Sequence, residues 1–205
     1  GHVARPCPAG QSAGTAGQAE TTYEPSSGYF QVSAVKLAIL DRDGVINLDS
    51  EAYVKSPAEW IPIPGSLEAI ARLSHAGWRV VIASNQSGLA RGLFSVETLN
   101  AIHAKLRHEL AQLGGHIDAI FVCPHGPDDG CECRKPRPGL FHDIARRYDT
   151  KLDQVPAVGD SWRDLQAASA AGCTPWLVMT GNGKKTWANG DLPSGTQVRD
   201  TLADV

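Results

Sequence analysis

Two aspartates separated by one residue offer the first chemistry in this chain. The stretch Asp41-Arg42-Asp43-Gly44-Val45-Ile46-Asn47 follows the apolar run Lys36–Leu40. Carboxylates at i and i+2 after a buried strand can converge on one divalent cation, and Gly44 lets the chain turn sharply behind them. A hard cation such as Mg²⁺ takes a few carboxylate oxygens and fills its shell with water and substrate phosphate. Asp41 can then attack phosphorus to form an aspartyl-phosphate. Asp43 can protonate the leaving oxygen and afterwards activate the water that breaks the intermediate. The same residue types also build ordinary surface turns.

Three more polar stretches stand at comparable places. Ser84-Asn85-Gln86-Ser87-Gly88 ends the run Trp78–Ala83; a hydroxyl and backbone N–H groups there can hold phosphoryl oxygens or make a polar turn. Arg134-Lys135-Pro136-Arg137-Pro138-Gly139 sets cations just before a helix. Lys135 can neutralise Asp41 together with a transferring phosphoryl group, and the planar fork of Arg134 suits a second phosphate or sugar hydroxyls. A solvated basic turn is the alternative. Gly159-Asp160-Ser161-Trp162-Arg163-Asp164 puts Asp160 at another strand end, as a further Mg²⁺ ligand or as a helix N-cap. Asp164, one helical turn on, reads as a support for that region rather than a ligand.

Cys123-Pro124-His125 and Cys131-Glu132-Cys133 form a C-x-H-x₅-C-x-C pattern. Three thiolates and one imidazole complete a tetrahedral Zn²⁺ site with no vacant position, hence a structural one. The ion would order a Pro/Gly-rich loop that runs straight into Arg134 and Lys135, so its loss would damage substrate binding as well as stability. Cys173 reads as a small buried hydrophobe, and Cys7 lies near the N-terminus. His75, His103, His108, His116 and His142 have no partner at ligand spacing and read as surface or packing residues. Gly181–Lys185 lacks the phosphate-loop pattern and reads as an ordinary turn.

These residues need elements to hold them. Apolar runs at Lys36–Leu40, Trp78–Ala83, Ile117–Val122, Val155–Val158 and Thr174–Met179 are short and nearly continuous, as suits strands buried on both faces of a parallel sheet. Helical patterns lie between them: Ser66–Ala76, Ser95–Leu113, Pro138–Tyr148 and Ser161–Ala171, the last closed by Gly172. Alternation of strand and helix predicts an α/β fold with a Rossmann-like, doubly wound parallel sheet, whose ligands bind beyond the carboxyl ends of the strands. Asp200–Val205 reads as the start of a helix that stops early.

Residues 1–34 are rich in Gly, Ala, Ser, Thr and Pro and contain no Leu, Ile or Met. They are expected to form a low-complexity extension before a single domain over residues 35–205. Hydrophobic residues make up 42% of the chain and charged residues 20%, which excludes wholesale disorder. A net charge of −3 gives no broad reason for nucleic-acid or membrane binding. No apolar run approaches the length of a bilayer span. Clustered cysteines suit a reducing compartment, and the N-terminus lacks an apolar stretch flanked by basic residues; a cytoplasmic location is expected.

Taken in order, D-x-D-G, a strand-end Ser, a pre-helix Lys and G-D-x-x-x-D resemble the haloacid dehalogenase-like superfamily of phosphohydrolases. The resemblance implies Asp41 as nucleophile, Asp43 as acid/base, Ser84 and Lys135 as phosphoryl stabilisers, and Asp41, Asp43 and Asp160 around Mg²⁺. The zinc loop followed by Arg-Lys-Pro narrows the likeness, over Lys36 to Thr186, to the family of heptose 1,7-bisphosphate 7-phosphatases and their histidinol-phosphatase relatives. That family implies substrate contacts from Asp49, Ser50 and Tyr53, from Ser84, Asn85, Gln86 and Ser87, and from Arg134 and Lys135. It also implies no large cap domain, since Asn47–Trp60 is too short for one. The implied reaction yields heptose 1-phosphate for nucleotide-activated heptose and lipopolysaccharide core synthesis, by a monomer with a small sugar bisphosphate as its only partner. Histidinol phosphate is the in-class alternative substrate, and a non-catalytic zinc-loop binding module the alternative of another class. Some members carry Lys where this chain has Ser161; a phosphate contact is then missing or supplied elsewhere, for example by Arg91 or Arg163.

Overall fold

Leu37, Ala38, Ile39 and Leu40 are all buried because β1 (Leu37–Leu40) runs through the middle of a sheet covered on both sides. The computed structural model describes residues 35–205; the expected extension over residues 1–34, with Cys7, lies outside the described residues. Helices and strands alternate as α1 (Ser66–His75), β2 (Arg79–Asn85), α2 (Val96–Gln112), β3 (Ala119–Cys123), α3 (Gly139–Tyr148), β4 (Pro156–Gly159), α4 (Trp162–Ala170), β5 (Thr174–Val178), α5 (Gly183–Asn189) and β6 (Gln197–Arg199). A short 3-10 turn, Leu202–Asp204, ends the described chain, in line with the arrested helix expected there.

The sheet has the order β3-β2-β1-β4-β5-β6, and every pairing is parallel. On one face Leu40, Val80 and Ile82 pack with Ile70 of α1 and with Ile102, Leu106 and Leu110 of α2. On the other, Leu37, Ile39 and Val81 pack with Leu140, Phe141 and Ile144 of α3 and with Ala167 and Ala168 of α4. Alternate residues of each inner strand thus feed two separate cores, which is why the strands read as continuous apolar runs. Cys173 belongs to the second core, as a buried small hydrophobe.

Three expectations need correcting. β3 is an edge strand, and Ala119–Val122 are only half-buried, so its apolar run does not mark two covered faces. β6 was not legible, since Gln197, Val198 and Arg199 contain one apolar residue. Gly181–Lys185 is not an isolated turn: it leads into α5, and Gly183 is packed so closely that a Cβ would lie 1.8 Å from the Val178 carbonyl oxygen.

Strand order reverses between β1 and β4, with Leu40 opposite Val158 and the Asp41 amide donating to the Val158 carbonyl at 2.9 Å. The segments leaving β1 and β4 therefore diverge from one point, where such sheets bind ligands. No cap domain interrupts the described residues. Between β1 and α1 a flap returns on itself through bridges of Asn47 to Asp43 and Pro62. Trp60 of the flap is fully buried, and Lys105 Nζ of α2 ties the flap down through the carbonyls of Pro57 and Trp60, at 2.9 and 2.8 Å.

Candidate active site

Lys135 is the centre of the site. It is 2% exposed, and its ammonium lies 3.0 Å from Asp41 Oδ1 and 2.5 Å from Asp164 Oδ1 while donating to the Ala83 carbonyl at 2.7 Å. Three acceptors meet its three protons, which fixes a side chain that is otherwise a flexible point charge. Its backbone is held just as firmly. Asn85 accepts from the Lys135 amide and donates to the Lys135 carbonyl, both at 3.0 Å. Asn85, expected to touch substrate, thus spends its amide on placing Lys135.

Asp41, Asp160 and Asp164 offer carboxylate oxygens that all lie within 4.8 Å of one another. Ser161, not Asp160, caps α4: its hydroxyl and amide close a capping box with Asp164. Asp160 is thereby left for the site. Its Oδ2 accepts from Asn182 N at 2.7 Å and from Asn182 Nδ2 at 3.2 Å, and Asn182 Nδ2 also reaches Asp49 of the flap at 2.9 Å. Nothing in the sequence singles out Asn182, whose loop has the composition of an ordinary turn. Two glycines press on the same carboxylate: a Cβ on Gly44 would lie 2.1 Å, and one on Gly181 2.2 Å, from Asp160 Oδ2.

Asp43 lines the same cavity as Asp41 and Asp160, but its carboxylate is not among the cluster of three. It accepts instead from Arg42 Nε and NH2 at 3.0 and 2.8 Å, from Asn47 at 2.9 Å and from Gln86 at 2.9 Å. Gln86 also donates to Ser84 Oγ at 2.8 Å, so this residue, expected to bind substrate, links Asp43 to Ser84. Arg42, fully buried, is a functional neighbour that its place between two aspartates did not announce.

Burial pushes Asp41 up to about 7 despite the pull of Lys135. Burial, then the charges of Asp164 and Asp41, pushes Asp160 up to about 8. Burial also acts to raise Asp164, but Lys135 and Ser161 outweigh it and hold that carboxyl below its usual range. One lysine cannot balance three buried carboxylates. A hard divalent cation is the partner that oxygen donors so arranged accommodate.

These groups line a cavity of about 280 Å³. Ser84, Lys135, Asp41, Asp43 and Asp160 meet there with Asp49, Ser50 and Tyr53 of the flap, with Ser87, and with Arg134. Both residues expected to compensate for Ser161, Arg91 and Arg163, line it too, and Arg91 lies over the Tyr53 ring at 5.9 Å.

Beside it, Cys123 Sγ stands 3.7 Å from His125 Nδ1 and 3.7 Å from Cys131 Sγ, Cys133 Sγ lies 3.5 Å from Cys131 Sγ, and His125 Nδ1 lies 3.2 Å from Cys133 Sγ. The thiols are free, and these separations exceed any disulfide bond. They approach the edges, roughly 3.8 Å, of a tetrahedron with Zn–S bonds of ~2.3 Å. The donor set fits zinc.

A parallel α/β sheet with acidic residues at two adjacent strand ends and a lysine before α3 is the arrangement that the resemblance to haloacid dehalogenase-like hydrolases implies, and the HAD-hydrolase-like family model matches residues 132–205. D-glycero-beta-D-manno-heptose-1,7-bisphosphate 7-phosphatase of Bordetella bronchiseptica is 70% identical over 171 residues, 83% of this chain and 96% of that protein. Its counterpart in Pseudomonas aeruginosa is 56% identical over 169 residues, 82% of this chain and 94% of that one. The crystal structure of D,D-heptose 1,7-bisphosphate phosphatase from B. bronchiseptica complexed with magnesium and phosphate superimposes with a TM-score of 0.82 at 69% identity, covering 83% and 95% of the two chains. The chain belongs to the family of D-glycero-β-D-manno-heptose-1,7-bisphosphate 7-phosphatases.

Proposed function

We propose that the protein removes the 7-phosphate of D-glycero-β-D-manno-heptose 1,7-bisphosphate, leaving heptose 1-phosphate. The observation that carries this reading is the buried ammonium of Lys135 set 3.0 Å from Asp41 on the floor of a cavity that also exposes Asp43. Asp41 attacks phosphorus while the bond to the sugar O7 breaks, and Asp43 delivers a proton to that oxygen. Asp43 then takes a proton from water as the water attacks the aspartyl-phosphate, which releases inorganic phosphate and restores Asp41. Lys135 and Ser84 offset the charge gathering on the phosphoryl oxygens. Asp41 and Asp160 would hold Mg²⁺, which when bound supplies further stabilisation of that charge. Arg134 and the flap residues Asp49, Ser50 and Tyr53 would grip the sugar and its 1-phosphate, with Arg91 or Arg163 in support.

A substrate panel tests the proposal: both anomers of heptose 1,7-bisphosphate, histidinol phosphate and fructose 1,6-bisphosphate, compared by kcat/KM. The β-heptose bisphosphate is expected to rank first. A clear preference for histidinol phosphate would move the chain to the neighbouring activity.

Cys123, His125, Cys131 and Cys133 would hold Zn²⁺. Burial, then the neighbouring thiols Cys123 and Cys131, pushes Cys133 up to about 12, and a bound cation would favour its thiolate. Cys131→Ser is expected to lose zinc and to melt at a lower temperature than the parent. Metal analysis showing full zinc in that variant would refute the ligand set.

A further inference from the structure

His103 breaks the apolar stripe of α2. Leu99, Ile102, Leu106 and Leu110 fill the buried side of that helix, and His103 is buried beside them at 8% exposure. Its sequence suggested mere packing, yet its ring meets the guanidinium that follows Asp41: Nε2 lies 3.2 Å from Arg42 NH1. Arg42 is 1% exposed. Its Nε and NH2 are spent on Asp43, and NH2 also donates to Gln86 Oε1 at 3.2 Å. Among the described residues His103 is the side-chain partner of NH1.

We propose that His103 and Arg42 are positioning residues for Asp43: neutral His103 accepts from Arg42 and thereby holds the guanidinium that fixes the Asp43 carboxylate for proton transfer. This inference rests on the reading of Asp43 as acid and base given above. Three features support it. A guanidinium in a buried site needs all its donors met, and an orphaned N–H is costly. The two Arg42–Asp43 bonds form a planar fork, so rotation of the guanidinium carries the carboxylate with it. Burial, then the charges of Arg42 and Arg107, pushes His103 down to about 4, which leaves its ring an acceptor at neutral pH.

The experiment compares His103→Leu and His103→Gln in the full chain with magnesium, using β-heptose 1,7-bisphosphate and 4-nitrophenyl phosphate. An alkoxide needs a proton to leave, whereas the acidic nitrophenol does not. Because kcat/KM reports the steps up to formation of the aspartyl-phosphate, loss of a placed acid lowers it selectively for the sugar. His103→Leu is expected to lower kcat/KM for the sugar about tenfold to a hundredfold, the range for a displaced catalytic group, and to leave the aryl ester nearly unchanged. His103→Gln, which keeps an acceptor near Nε2, is expected to restore most of the loss. Equal losses on both substrates, no loss, or no rescue would overturn the inference. Asp43→Asn separates the two readings: if it lacks the leaving-group selectivity, the assignment of Asp43 itself fails, and if it shows the selectivity while His103→Leu does not, only the positioning role falls. Nitrogen NMR of the labelled parent protein stands independent of any variant's folding. Nε2 is expected unprotonated and Nδ1 protonated at pH 7, and an Nε2–H or a charged ring would overturn the proposal.

Discussion

Asp41→Asn is expected to reduce phosphate release from heptose 1,7-bisphosphate by about 10⁴-fold or more, the scale seen when a covalent nucleophile is removed. An amide of the same shape keeps the packing and loses the attacking oxygen. Fold stability is expected to respond in the opposite sense. Burial raises the folded Asp41 carboxyl to about 7, above its usual 3.8. Its contribution is therefore fully present below the unfolded value of 3.8 and lost as pH rises to about 7, above which the ionised carboxylate weighs in full against the folded state. The neutral amide relieves that cost. In metal-free protein the melting temperature of Asp41→Asn is therefore expected not to fall, and retained turnover with an intact fold would remove Asp41 from the chemistry.

Lys135→Met is expected to fail on both counts. The methionine fills similar volume but leaves Asp41 and Asp164 facing each other without the ammonium now 3.0 and 2.5 Å away. It also orphans the Ala83 carbonyl. Breaking a buried ion pair from one side costs about 3–5 kcal/mol, because the partner charge stays buried and unpaired. Denaturant melts should read that loss, and assays on the folded fraction should show no measurable phosphate release. Here the sign of the stability effect distinguishes the two variants: removing a carboxylate from this cluster is tolerated, and removing its one buried cation is not.

Much of this arrangement was legible in the sequence. Asp41 and Asp160 follow short apolar runs that read as strands of a parallel sheet, and the pairing of β1 with β4 brings their ends together. Cys123, His125, Cys131 and Cys133 sit close enough in the chain that spacing alone defined their cluster. Lys135 was legible from its place before α3. What the sequence withheld was the direction of side chains. Nothing in D-R-D-G says that Arg42 turns inward and ties up Asp43, because a strand-end residue can face either side of a turn. Asn85 and Gln86 line the cavity, and that their amides also hold Lys135 and Asp43 was hidden for the same reason, since an amide can serve a backbone or a ligand equally well. Asn182 and His103 depend on contacts across 22 and 61 residues of chain, for which local patterns carry no signal. The edge position of β3 followed from pairing order, again a global property.

The glycines at 44 and 181 carry a consequence for how this sequence can vary. Each is at positive φ, +81° and +54°, and between them they enclose Asp160 Oδ2 with less room than one methyl group occupies. Saturation libraries at either position should return glycine alone under selection for turnover, whereas the exposed Gly92, with open space at the Cβ, should admit residues that tolerate a left-handed backbone. Mutational tolerance would thus trace the outline of the acidic pocket from the outside, with no substrate or metal in hand.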